Sequence, residues 1–194
     1  NGTTLFFANQ IHRQLLNEGK RSYLTEMNQF QSFESAKEMV IFTSTYGLGD
    51  PPSNANQFET LLQKFPQQNK IGYSVVGFGS KSYQEFCAFA VKVNDLLANQ
   101  NWAEPTTSIF TINDRSADEF ATWAHVWSEK TLHPLATAPA VYNTKIPGLK
   151  KFIVTEKTMV SDENFTFKIV LKPRKNQKFS SGDLLAIYPA NDNR

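Results

Sequence analysis

With 194 residues, 40% of them apolar and 13% aromatic, the chain can hold one sizeable core or one domain and part of another, and no window nears the roughly eighteen apolar residues of a membrane span. A single cysteine, Cys87, excludes an internal disulfide and a cysteine metal cluster, and three scattered histidines make no ligand set. The net charge of +2 hides an asymmetry: residues 1–138 hold 10 Lys+Arg against 13 Asp+Glu (−3), while residues 139–194 hold 10 against 5 (+5). Opposite signs favour docking of adjacent parts, and basic residues spread along strands without an aromatic platform argue against nucleic-acid binding.

In chain order, Phe7, Ala8, Ile11 and Leu15 recur at spacings of three and four, predicting a helix that opens at Asn1-Gly2-Thr3-Thr4 and stops at Gly19. A helix start offers free N–H groups to an anion such as a phosphate, and it equally suits an ordinary hydroxyl cap. Ser22–Met27 is read as a strand and Phe30–Lys37 as a polar connector. Met39–Phe42 is an unbroken apolar run, as in a strand covered on both faces, and Pro51-Pro52 forbids its continuation. The loop between them, Thr45-Tyr46-Gly47-Leu48-Gly49-Asp50, must leave the sheet at its carboxyl edge, where ligands of open α/β sheets sit.

The pattern then repeats. A helix over Asn54–Phe65, closed by Pro66, leads to a second buried strand, Ile71–Phe78, and to another tyrosine-bearing loop, Gly77-Phe78-Gly79-Ser80-Lys81-Ser82-Tyr83. Phe86, Phe89, Ala90, Val93, Leu96 and Leu97 mark the next helix, Ser108–Ile112 a third short strand, and Phe120, Trp123 and Trp127 a helix after Asn113-Asp114-Arg115-Ser116. Strand, loop and helix in alternation predict an α/β doubly wound parallel sheet. Pro134–Pro139 reads as linker. Beyond it the period becomes two, with Phe152 and Val154, then Phe165, Phe167, Ile169 and Leu171, as in antiparallel strands with one wet face; Ser181-Gly182-Asp183 marks a turn before a strand at Leu184–Tyr188.

These residues resemble those of the diflavin reductases, the family of the sulfite reductase flavoprotein, the cytochrome reductases and the nitric oxide synthase reductase region. Thr45 to Ala55 resembles the first flavin loop, Gly77 to Phe89 the second, and Phe179 to Asp192 the opening of a ferredoxin-reductase-type FAD barrel. The resemblance implies a flavodoxin-like fold over 1–133, N-terminally incomplete and lacking its first strand, a linker over 134–148, and the beginning of an FAD-binding β-barrel over 149–194. It implies an FMN ring between Tyr46 and Tyr83, with Gly2, Thr3, Thr4, Thr45, Gly47, Gly49, Gly79, Ser80, Phe86 and Asp114 around it. Stacked aromatics suit a flat, polarisable tricycle, and glycines let backbone groups approach its edge. Cys87 reads as structural.

The implied function is electron transfer, FMN relaying electrons from FAD, fed by NADPH, to a haem or metal acceptor, with no side chain acting as acid, base or nucleophile. A flavin-free docking module of the same fold is the alternative; a stand-alone small flavodoxin is opposed by the basic, β-patterned tail. The sequence is expected to begin inside the phosphate loop, as an excerpt of a longer polypeptide that by itself binds FMN poorly. A cytoplasmic location is expected, with an upstream membrane tether left open.

Overall fold

The computed structural model describes residues 2–67, 69–143, 150, 152–161, 166–174, 176, 178 and 180. The chain divides into two compact units, Asn1–Thr144 and Lys145–Arg194.

In the first unit, α1 (Gly2–Asn17) buries Thr4, Phe7 and Ile11 on one stripe, the face that its sequence spacing requires. Its end is fixed by Gly19 at φ +69°, which lets the Gly19 amide donate to Leu16 O and the Lys20 amide to Leu15 O. Strand β1 (Glu38–Ser44) pairs in parallel with β2 (Ile71–Gly79). On the other side of β2, β3 (Ala103–Pro105) pairs with its start and β4 (Phe110–Asn113) with its end, both parallel. β2 is therefore the central strand and is buried on both faces. Tyr73 and Val75 face a core built with α2 (Phe58–Lys64) and α3 (Ala88–Ala98); Val76 and Phe78 face a second core built with α1 and α4 (Ala117–Thr131). The flavodoxin-like, doubly wound parallel architecture is thus present.

The segment Ser22–Met27 is not a strand; it is irregular and closes in a 3₁₀ turn at Met27–Gln29. A strand needs a partner, and among the described residues the edge of β1 away from β2 has none. That edge, α1 and residues 20–37 instead surround a trough of about 690 Å³. The helix expected over 54–65 is shorter because Asn28 fastens residues 53–57 in turns: its side chain donates to Ser53 O and Asn56 Oδ1 and accepts the Gln57 amide. Strand β3 escaped the sequence reading because Ala-Glu-Pro has no apolar alternation; pairing with Ile71–Tyr73 defines it.

Part of the stretch read as linker belongs to the first unit. Leu135 and Tyr142 are buried in the second core, and α5 (Pro139–Tyr142) lays the Tyr142 ring edge-on against Phe120, centroids 4.6 Å apart. The Tyr142 hydroxyl donates to Ala136 O at 2.5 Å and accepts from Gln14 Nε2 at 3.3 Å, while Gln14 Oε1 accepts the Ala136 amide at 2.6 Å.

In the second unit, β5 (Phe152–Ser161) and β6 (Thr166–Pro173) form an antiparallel pair with register shifts between Val154 and Glu156 and between Met159 and Ser161. Antiparallel pairing is as expected; closure into a barrel is not seen among the described residues. Both strands are largely exposed, so the one-sided burial expected of them is absent there. Phe165 and Leu184–Tyr188 lie outside the described residues.

Replacing Tyr142 with Phe leaves the ring packing but removes one buried donor and one acceptor. The expected loss is about 1–2 kcal/mol in the unfolding free energy of the first unit, measured by urea titration.

Candidate cofactor site at the carboxyl edge of the sheet

Because β1, β2 and β4 run parallel, the loops that follow them leave the sheet at one edge. The start of α1 reaches that edge too: Thr4 and Leu5 line a small pocket of about 90 Å³ together with Thr43, Ser44, Pro52 and Asn54. Four chain segments thus gather there, each carrying residues singled out by the sequence.

The loop after β1 is closed on itself. The Tyr46 amide donates to Asp50 O, and the Gly49 and Asp50 amides both donate to Tyr46 O. Gly47 at φ +50° and Gly49 at φ +110° make this turn possible, and the turn leaves the Tyr46 side chain 49% exposed. Thr45 is turned inward: its hydroxyl accepts the Phe89 amide in the first turn of α3 at 3.1 Å, tying the first loop to the helix that follows the second.

In the loop after β2, Ser80 O accepts the Tyr83 amide at 3.0 Å, and the Tyr83 side chain is 70% exposed. Tyrosine rings are ordinarily half-covered, so two well-exposed rings at one sheet edge are available to a ligand. Gly79 has a tighter reason to be glycine than access to a ligand: a Cβ there would lie 3.1 Å from Phe86 Cδ2 and from both the amide nitrogen and sulfur of Cys87. Its carbonyl is committed as well, accepting the Asp114 amide at 2.5 Å. Phe86 is partly buried against the core, with the Lys81 ammonium 5.8 Å from its ring centroid. Asp114, exposed and at φ +53°, stands at the turn out of β4.

Gly2 and Thr3 begin α1, and the buried Thr4 and Thr43 line the same small pocket. Thr43, the second-last residue of β1, was not singled out by the sequence reading, which ended the strand at Phe42. It is only 2% exposed, and its Oγ1 is buried with no hydrogen-bond partner in the described structure. An orphaned hydroxyl next to a helix start is a donor in need of an acceptor, which fits a phosphate group. The exposed tyrosines fit a flat aromatic ring. The residues present therefore suit FMN at both ends. Among the described residues no cluster of metal-ligating side chains occurs.

Fold and site together define an α/β module of flavodoxin architecture with two exposed tyrosines on the loops at its carboxyl edge. The chain belongs to the flavodoxin family, whose model, described as Flavodoxin, matches residues 1–127. Among curated relatives, it is 36% identical to the inducible nitric oxide synthase of Cavia porcellus over half of this chain and 9% of that protein. It is 24% identical to the NADPH--cytochrome P450 reductase of Oryctolagus cuniculus over 98% of this chain and 35% of the relative. The sulfite reductase [NADPH] flavoprotein alpha-component of Buchnera aphidicola matches at 24% over 84% of this chain and 30% of the relative. The chain thus spans a minor part of these oxidoreductases, the diflavin reductase relatives that its motifs resemble. Among solved structures, oxidised Flavodoxin 1 from Bacillus cereus superposes with a TM-score of 0.58 at 13% identity, covering 70% of this chain and 93% of the flavodoxin. A flavodoxin from Streptococcus pneumonia TIGR4 gives 0.58 at 22%, covering 68% and 92%.

Cys87 lies under this edge, fully buried, in a left-handed turn at φ +56° just before α3. Burial pushes its thiol from 9.0 up to about 11; a hydrogen bond with the Ile112 backbone pulls the other way, and the Glu119 charge adds to the rise. A neutral, enclosed thiol is a packing group, as the sequence suggested. Because the folded value is raised, the native state holds this proton longer than the unfolded chain. The associated stability is full below about pH 9 and is lost as pH climbs toward about 11. Cys87→Ala removes that share, leaving Tyr73 and Tyr142, also raised by burial, to contribute theirs. The expected result is a shallower alkaline decline, by about 2–3 kcal/mol between pH 9 and 11, in urea titrations of both proteins.

Proposed function

We propose that this chain is the FMN-carrying electron-transfer segment of an NADPH-dependent diflavin oxidoreductase. The observation that carries the reading is the convergence at one sheet edge of two exposed tyrosines, a helix start and the unpartnered Thr43 hydroxyl. Tyr46 and Tyr83 flank the ring. Gly47 and Gly49 shape the turn that presents Tyr46, and Gly79 admits the tight approach of Phe86 and Cys87 beneath Tyr83. Gly2, Thr3 and Thr4, together with Thr43, hold the phosphate at the positive end of α1. Thr45 joins the two loops, while Ser80 and Asp114 form the rim.

When bound, the flavin supplies the redox chemistry, carrying electrons from an NADPH-fed FAD to a haem or metal centre. The protein's share is to bind, orient and partly shield it. In this reading the FMN domain is built on residues 1–133 and completed by Leu135 and Tyr142, the rest of 134–148 leads onward, and 149–194 open an FAD-binding barrel. The relatives' names support the NADPH and cytochrome terms, and an NADPH-dependent reaction suits the cytoplasm.

Tyr83→Ala removes one stacked face. The expected weakening of FMN is about 1–3 kcal/mol, read by fluorescence titration of the purified protein. Unchanged affinity would show that Tyr83 is not a ring partner.

A further inference from the structure

We propose that Glu119, on the first turn of α4, is a positioning residue that holds the Tyr83 loop in its ligand-ready form; the proposal rests on the flavin reading of that loop. Ser116-Ala117-Asp118-Glu119 has the spacing of a capping box, in which the third helical residue ordinarily turns its carboxylate back to the amide of the cap. Only half of the box forms. The Ser116 hydroxyl accepts the Glu119 amide at 3.2 Å, but the Ser116 amide donates elsewhere, to Asn113 O at 3.1 Å. The released carboxylate reaches past the cap, and its Oε2 accepts the Asn113 amide at 2.6 Å.

The bond continues across the site. Asn113 ends β4, and its Oδ1 accepts the Lys81 amide at 2.8 Å, from the loop that leaves β2. The Lys81 ammonium in turn lies 3.9 Å from Glu119 Oε1. Lys81 follows directly on Ser80, whose carbonyl holds the Tyr83 amide, so fixing Lys81 fixes the turn that presents Tyr83. One carboxylate, its side chain 35% exposed, thereby joins α4, the turn after β4 and the Tyr83 loop. A helix cap alone would need none of the last two links.

The test compares Glu119→Ala, Glu119→Gln and Ser116→Ala in the full-length protein. Two quantities are read: tryptic cleavage after Lys81 without added FMN, and FMN affinity by fluorescence titration. Glu119→Ala is expected to speed cleavage at Lys81 and to weaken FMN roughly tenfold, the order of one charge-assisted hydrogen bond. Glu119→Gln keeps an acceptor for the Asn113 amide and should restore most of both. Ser116→Ala should lower the melting temperature and leave both near the parent values. FMN affinity and cleavage unchanged in Glu119→Ala would overturn the positioning role, as would Ser116→Ala reproducing its effects. Failure of the parent protein to bind FMN would instead overturn the flavin reading and the positioning role with it. If Glu119→Ala does not fold, Asn113→Ala, which removes only the acceptor for Lys81, carries the same test with the same outcomes.

Discussion

The approach of α3 to β2 at Gly77 constrains the whole first unit. A Cβ on Gly77 would fall 2.5 Å from the Cβ of Ala90, a separation that packed side chains do not reach, so the Ala90 methyl rests directly on the backbone of the strand. Two residues on, Gly79 meets Cys87 and Phe86 almost as closely. Together these contacts place the first turn of α3 hard against the end of β2, and the loop between them has no slack. Its residues, Ser80 to Phe86, are consequently pushed out over the carboxyl edge, with Tyr83 at the surface and Phe86 against the core. The same approach brings the Phe89 amide to Thr45, so the position of the first loop follows from the packing of the helix after the second.

Hydrogen bonds within the loops finish what packing begins. Tyr46 and Asp50 satisfy each other's backbone groups, Gly79 receives Asp114, and Asn113 receives Lys81. Backbone donors and acceptors at a sheet edge cost free energy if left unpaired and buried, and here they are spent on one another. What remains unsatisfied stands out for that reason. The Thr43 hydroxyl, enclosed beside the start of α1, is the polar group of this edge that the described structure leaves for something else to meet.

Most of the architecture was legible because it rests on periodicity. The apolar runs of β1 and β2, the stripe of α1 and the aromatic positions of α4 each follow from one spacing rule, and glycines mark both tyrosine loops, with Pro51-Pro52 closing the first. The failures share a different cause. Ser22–Met27 has strand-like composition but no neighbour, Ala103–Pro105 has a neighbour but no pattern, and Tyr142 packs against Phe120 from a stretch whose prolines read as linker. Each is decided by a tertiary partner that local spacing does not encode. At the site, the residue types were visible, but their division of labour was not. Gly79 reads as access for a ligand until the Cys87 contact is seen, and Glu119 was not singled out although its Ser-x-x-Glu spacing was there to find.

The two units differ in how far they can stand alone. In the first, large side chains are almost wholly buried on both faces of a central strand, Trp123, Trp127, Phe120 and Tyr142 in one core and Tyr73, Phe58 and Leu62 in the other. The described part of the second is a two-stranded ribbon. Along it Val154 faces Leu171 and Met159 faces Phe167, with the Lys157 ammonium 4.3 Å from the Phe167 ring, yet most of this surface is exposed. A cation laid over an aromatic face covers some of it and cannot replace a core. Two strands without a packed layer are marginal in water, so the described ribbon does not by itself supply a core. The order of the first unit's carboxyl edge, by contrast, is set within Asn1–Thr144 by the contacts of Gly77, Gly79 and Asn113.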